Sequence, residues 1–261
     1  MSPRRESALM PFLPCTTWVI AEVERLTGRP VHIVEEPKLS TLAHLQIARG
    51  DAPLHLLRYK PMGETPPDYF IVYQCGHVLR LYGAPPDKRF DFASGPEGRT
   101  KIEIELQDPR LPDRVRGMGE MLLGGLITQL RSVPVGFRID EWIERTFPEL
   151  AELQRKAVLA QLETNSKAIA DAGAGIIPAK VAKASLGMNA AFAAFWGRKW
   201  DDPTTVVPYK AIGLSALGER LLTIYDRTPD NPVNDVQLVG EWAFELKLRG
   251  WYDAIPFNGA D

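Results

Sequence analysis

The sequence predicts an α+β fold, with a small three-stranded sheet near the N-terminus and a mostly helical remainder. Three observations predict this class. A helix-like segment lies near residue 16, three short strand-like runs follow it, and helical spacing of apolar residues dominates after residue 113.

The first predicted helix spans residues 16–28, with Thr16 or Thr17 as its cap and Gly28 as its end. Its apolar residues recur with helical spacing at Val19, Ile20, Val23 and Leu26. Turn residues bound the three strand-like runs at 31–34, 43–48 and 54–59. The next helix is predicted over 67–82, with prolines at its first turn, where they are tolerated.

The segment near 85–112 is polar and rich in proline and glycine, so we expect an exposed insertion there. The alternation of Lys101–Leu106 predicts one strand within it. Beyond it, proline and glycine separate helices expected at 113–131, 135–146, 148–172, 178–197, 213–227 and 233–250. We expect 1–112 to form an α+β part and 113–261 a helical part, packed together as one compact unit.

Composition excludes few functions but favours a cytoplasmic protein. The chain has 261 residues, 45% of them hydrophobic and 25% charged, as in ordinary globular proteins. A formal net charge of −2 makes nucleic acid an unlikely partner. Its two cysteines form no disulfide framework, and no apolar run reaches the roughly 18 residues that span a bilayer, so we expect no membrane association.

The most informative segment is Asp68–Tyr82, because its centre matches part of a zinc-binding motif. A metallopeptidase helix carries His-Glu-x-x-His, in which two imidazoles four residues apart bind zinc and the glutamate takes a proton from the metal-bound water. This chain has Tyr73, Gln74, Cys75, Gly76 and His77 at those positions. Only the last ligand is retained.

With the helix and three strands before it, this segment resembles the zincin metallopeptidases. It is similar in particular to gluzincin-like bacterial peptidases and to the group that resembles phage-repressor-cleaving regulators. The resemblance covers residues 16–82 and implies a zincin-like three-stranded sheet with an active-site-type helix. It also implies that Tyr73, Gln74 and His77 occupy vestigial catalytic positions, and that a third ligand would be an acidic residue on a later helix.

Asp140 and Glu141 are the candidates for that acidic position, with Glu144 on the same segment. The alternative is a solvated acidic face. We expect no metal or other cofactor, with His77 and Glu141 as the ligands if zinc binds. Tyr73 is an uncommon ligand, and Gln74 cannot act as a general base.

Other residues have structural and functional interpretations that the sequence leaves open. Gly76 costs about 1 kcal/mol in a helix, which predicts a close backbone approach by a neighbouring strand. Trp242 and Trp251 form an aromatic stripe on the last predicted helix, either in the core or as a docking surface. His32, His44 and His55 lie on the three strands, and we expect at most two on one sheet face.

The leading hypothesis is a non-catalytic metallopeptidase-like protein that binds a protein or peptide partner as a regulatory module. An extended segment of the partner would add to the edge of the small sheet. The alternative is a metal-dependent hydrolase with a site rebuilt around His77. The first hypothesis predicts no enzymatic activity.

Overall fold

The computed structural model describes residues 12–39, 41–63 and 65–257. Its helices are α1 (Pro14–Thr27), α2 (Asp68–Gly83), α3 (Pro96–Leu106), α4 (Asp113–Arg116), α5 (Gly119–Thr146), α6 (Ala151–Gly173), α7 (Ala179–Trp200), α8 (Val207–Ala211), α9 (Ser215–Arg227) and α10 (Asp235–Glu245). Its strands are β1 (Val31–Glu35), β2 (Ala43–Gln46), β3 (His55–Tyr59), β4 (Phe90–Ala93) and β5 (Asp253–Pro256). The predicted α+β class is confirmed.

The first three strands form the predicted small sheet, in the order β1-β3-β2. Strand β3 runs parallel to β1 and antiparallel to β2. Asp68, at the start of α2, accepts hydrogen bonds from the Leu13 N–H (2.8 Å) and the Thr16 hydroxyl (2.7 Å) at the start of α1. These bonds satisfy otherwise free groups at the α1 N-terminus and hold the two helices together.

The expected insertion at 85–112 is corrected by the structure. Residues 101–106 lie in helix α3 and not in a strand, since Ile102 and Leu106, four residues apart, face the core while Ile104 is 60% exposed. Strand β4 pairs antiparallel with β5, near the other end of the chain. The segment therefore contributes both a strand and a buried helix face, and is not simply an exposed insertion.

The sequence predicted that Pro134 separates two helices. In the structure α5 continues through it from Gly119 to Thr146. Proline removes one helical hydrogen bond and usually kinks or ends a helix. Here Pro134 is buried, and Leu130 and Phe137, which lie near it in the same helix, are each 1% exposed. Packing of this buried stretch outweighs the local preference.

A single cluster of buried residues reaches from Cys15 in α1 to Trp251 beyond α10, and so crosses the predicted boundary at residue 112. The last helix is shorter than expected and ends at Glu245. Among the described residues, no helix is both long and apolar enough to cross a membrane.

Candidate functional site: helix α2 and edge strand β2

The motif positions of α2 are packed against α5. A Cβ atom on Gly76 would lie 2.6 Å from Ile139 Cγ2 and 3.4 Å from the Trp142 ring. A Cβ atom on Gly136 of α5 would overlap the Tyr73 hydroxyl. A neighbouring element does lie close to Gly76, but it is helix α5 through its Ile139 side chain, and not the backbone of a strand as predicted.

Tyr73 and His77 share a face of α2, as the spacing predicted, and their rings meet edge to face with centroids 5.1 Å apart. Burial and the nearby Asp140 carboxylate raise the pKa of Tyr73 above its ordinary value. Tyr73 is therefore a neutral packing residue at neutral pH, and its phenol is a poor metal ligand.

His77 lines a small cavity of about 30 Å³ between α2 and α5. Burial, Arg131 and Arg80 lower the pKa of His77 to about 3, so the imidazole is neutral over the physiological range. Neutral imidazole can bind zinc, but Arg131 beside it, which shares its one carboxylate partner Asp91 with Arg49, opposes a cation. The charge around His77 favours an anion.

Asp140 lies on the buried side of α5. Its Oδ1 accepts hydrogen bonds from the Tyr69 hydroxyl (2.7 Å) and from Gln154 Nε2 (3.0 Å). Burial raises the pKa of Asp140 to about 7, although both hydrogen bonds act in the opposite direction. The carboxyl group is held by these two side chains within the α2–α5–α6 contact.

Glu141, the neighbouring candidate ligand, is engaged elsewhere. It accepts a hydrogen bond from the Tyr225 hydroxyl (2.7 Å) and lies 3.4 Å from Lys199 Nζ. Lys199 also pairs with Glu144 at 2.6 Å. The acidic segment 140–144 is thus divided between a buried carboxyl group and an ion-pair cluster with α7 and α9.

Gln74, at the position of the catalytic glutamate, turns toward the sheet. Its Nε2 donates a hydrogen bond to the backbone carbonyl of Ala43 (3.3 Å), at the start of β2. A glutamate there could not donate this bond. The amide therefore links α2 to the edge strand of the sheet.

The register of β2 fixes which of its backbone groups face away from the sheet. Lys60 N–H donates to the Leu42 carbonyl (2.8 Å), so Leu42 and, by alternation, His44 and Gln46 direct their backbone groups toward β3. Leu45, opposite Leu57, directs its N–H and C=O outward. These two groups have no hydrogen-bond partner among the described residues.

The two edges of this sheet differ. On β1, the outward N–H of Val31 is already taken by a Glu24 carboxylate oxygen of α1 (2.8 Å). On β2, Gln74 takes the outward carbonyl of Ala43, but the stretch Leu42–Ala48 carries no charged residue, and its His44 and Gln46 side chains are exposed. Charges and covering groups protect sheet edges from further pairing, so β2 is the less protected edge.

Trp242 and Trp251 do not form a docking surface. Trp242 is fully buried and Trp251 is 1% exposed, so the core interpretation is correct and the binding interpretation is wrong. Trp251 also lies beyond the end of α10 and not on that helix. Their side chains contribute to the main buried cluster.

The strand histidines do not converge. His55 is buried, accepts a hydrogen bond from the Ala48 N–H at Nδ1 (3.0 Å) and contacts the Thr27 hydroxyl through Nε2 (2.8 Å). His32 and His44 occupy the opposite, exposed face, as the strand register requires. Within the described ranges, no group of three or more His, Cys, Asp or Glu residues could hold a metal ion.

Comparisons of this chain with protein-family models, with curated proteins and with solved structures give no match. The resemblance to zinc metallopeptidases therefore stays a prediction carried by the segment Tyr73–His77 and the order of the elements around it.

Sequence reasoning missed a set of charged residues near His77. Asp91 of β4 is 4% exposed and pairs with both Arg49 and Arg131. Some 40 residues of chain separate Asp91 from either arginine, and no local pattern links them. Strand β4, helix α5 and the segment after β2 each contribute one of these charges, so only the tertiary fold brings them together.

Proposed function

We propose that the chain binds an extended peptide segment of a partner protein, which adds to the sheet alongside β2. The observation that carries the proposal is the uncharged edge of β2, where the outward N–H and C=O of Leu45 have no hydrogen-bond partner among the described residues. An antiparallel segment would form a closely spaced pair of hydrogen bonds with these two groups.

Helix α2 supports the same proposal from the other side. In the zincin metallopeptidases, which residues 16–82 resemble, the substrate lies along the sheet edge next to the motif helix. Here Gln74 holds β2 against α2 but supplies no general base. Binding without hydrolysis is the activity that these residues favour, with no zinc at His77.

The alternative hydrolase has no observation in its favour. His77 faces Arg80 and Arg131, while Glu141 is engaged by Tyr225 and Lys199. Asp140 is engaged by Tyr69 and Gln154. A third ligand and a base would both be needed for metal-assisted hydrolysis.

Peptides selected from a displayed random library against the wild-type protein would test the proposal. Leu45→Pro removes the outward N–H, which an edge strand tolerates because that group has no partner within the sheet. Loss of one hydrogen bond should weaken the selected peptides about fivefold. Lys183→Gln, an exposed change on α7, is the control that should leave the affinity unchanged.

Melting curves of both variants establish that each is folded before affinities are compared. Recovery of no peptide, or equal affinity of the selected peptides for wild type and Leu45→Pro, would contradict the proposal.

A further inference from the structure

The cavity beside His77 is lined by more positive than negative side chains. Arg80, Lys88 and Arg131 are cationic, and Asp235 is the one carboxylate among the described residues that line it. Gln74 and the residues of β2 are not part of its lining. The cavity is thus a second feature of α2, independent of the strand edge.

The Arg80 and Asp235 charges cancel each other. Arg80 donates to both carboxylate oxygens of Asp235, at 2.6 and 2.7 Å, and its remaining nitrogen lies 2.8 Å from Asp230. Both members of the main pair are largely buried, with side chains 13% and 9% exposed. Arg80 therefore shapes the wall and has no free nitrogen to offer a ligand.

Arg131 is the cation that retains binding capacity. One of its nitrogens donates to Asp91 Oδ1 at 2.5 Å, and no other hydrogen bond of its guanidinium group is found among the described residues. Asp91 also pairs with Arg49, so this carboxylate is shared by two arginines and their group carries a net positive charge. Burial lowers the pKa of Arg131, which records the cost of leaving this charge poorly solvated.

His77 adds a polar group to the same space. Its ring nitrogens make no hydrogen bond with the described residues, and one of them carries a proton in the neutral ring. Lys88, with a side chain 62% exposed, lies at the solvent side. It pairs loosely with the exposed Asp87 at 3.7 Å and can move toward a ligand. An imidazole N–H, a guanidinium group and an ammonium group thus border one cavity.

We propose that this cavity binds a small oxyanion group, a phosphate or a carboxylate, between His77, Arg131 and Lys88. A guanidinium group can bind two oxygens of a planar carboxylate or of a tetrahedral phosphate with two parallel hydrogen bonds. A volume of about 30 Å³ admits one or two oxygen atoms, so the remainder of the ligand extends toward Lys88 and solvent.

The test is a titration of the intact protein with inorganic phosphate and, separately, with sodium acetate, followed by NMR of the histidine ring signals. The chain has four histidines, and His77→Gln assigns the relevant signal by its disappearance. Sodium chloride at the same ionic strength is the control for general screening. A saturable shift of the His77 signal is expected with at least one oxyanion, and the tighter one identifies the ligand as phosphate or carboxylate.

Two variants locate the site. Lys88→Gln should weaken binding about two- to fivefold, because exposed charge pairs contribute modestly, whereas Lys183→Gln makes the same charge change on α7 and should have no effect. Arg131→Gln should weaken binding at least about tenfold. If Arg131→Gln does not fold, the comparison of the two lysine variants still decides the matter.

The proposal is overturned if neither oxyanion shifts the His77 signal beyond the effect of chloride. Equal affinities in Lys88→Gln and Lys183→Gln would overturn it as well. Peptide binding at β2 can succeed or fail independently of either result.

Discussion

Helix α2 and strand β2 lie side by side but differ in how much of their bonding capacity is already used. On α2, Gly76 admits Ile139 of α5, and Tyr73 fills the space over Gly136. On β2, neither outward backbone group of Leu45 has a hydrogen-bond partner in the described part of the chain. The resemblance to peptidases directs attention to the helix, whereas the free capacity for binding an extended chain lies on the strand.

This difference is the basis of the proposed function, in which the sheet edge binds a peptide and α2 supplies no catalytic base. A catalytic site needs its base and metal ligands open to substrate. On α2, packing closes Gly76 and Tyr73, and Gln74 bonds the strand through its amide, whereas His77 faces a small cavity. Substitutions on α2 and β2 test how firmly the helix is fixed and how free the strand edge is.

The firmest attachment of α2 is the ion pair of Arg80 with Asp235. Arg80→Met leaves a largely buried carboxylate without its bidentate partner, so the free energy of unfolding should fall by about 3–5 kcal/mol in urea denaturation. Arg80→Met combined with Asp235→Leu removes both charges and should recover most of this loss. A loss below about 1 kcal/mol in the single variant would show that the pair does not fix the helix.

Asp140 should make stability depend on pH in a defined direction. Its folded-state pKa of about 7 lies above its ordinary value of 3.8, so the folded state favours the protonated carboxyl group. This contribution is fully present below pH 3.8 and is lost as pH rises toward 7, amounting to a few kcal/mol. Urea unfolding of wild type and Asp140→Asn between pH 3.8 and 7 isolates the contribution of Asp140 to the free energy of unfolding.

Asp140→Asn keeps a side-chain oxygen for Tyr69 and Gln154 but does not titrate. The variant should therefore gain stability relative to wild type as pH rises from 4 to 7. An unchanged difference between the two proteins over that range would contradict the assignment of a raised pKa.

Gly76 should report the tightness of the α2–α5 contact. Gly76→Ala places a Cβ atom against Ile139, and overpacking of this kind costs about 1–3 kcal/mol, partly offset by alanine's better helix propensity. Gly240→Ala is the matched control in α10, where the nearest atom would be 3.9 Å away, and it should be neutral or stabilising. Equal thermal melting shifts for the two variants would argue against close packing at Gly76.

The smallest effect is expected at Gln74. Gln74→Met removes the hydrogen bond to the Ala43 carbonyl and should cost about 0.5–1.5 kcal/mol in unfolding free energy. It should not weaken peptides bound at Leu45, because the Leu45 backbone groups are retained. A large loss of peptide affinity in this variant would place the binding surface on the helix and not on the strand.

Local sequence patterns predicted the first part of the fold well. The helix at the N-terminus, the three strands and α2 all lie close to their predicted positions, because turn and periodicity patterns are local. The predicted cap was wrong, since α1 begins at Pro14 and the Thr16 hydroxyl donates to Asp68. The strand expected at 101–106 failed since Ile102, Ile104 and Leu106 fit two-residue alternation, while burial of Ile102 and Leu106 selects a helix. The break expected at Pro134 failed because tertiary packing sustains α5.

The candidate site was less accessible to sequence reasoning. The close approach at Gly76 followed from the cost of glycine in a helix, and its direction did not. Strand β5 pairs with β4 across about 160 residues of chain, which no local pattern reveals. The free edge of β2 depends on strand order and register, and the charge around His77 depends on Arg131 of α5.

Hydrogen exchange at the β2 backbone, followed by NMR with and without a selected peptide, tests whether a peptide adds to the sheet beside Leu45. In the free protein the Leu45 amide should exchange fast, while the His44 and Gln46 amides, bonded to β3, exchange slowly. Bound peptide should protect Leu45 and leave its neighbours little changed. Protection that appears elsewhere, with Leu45 still exchanging fast, would contradict peptide addition at this edge.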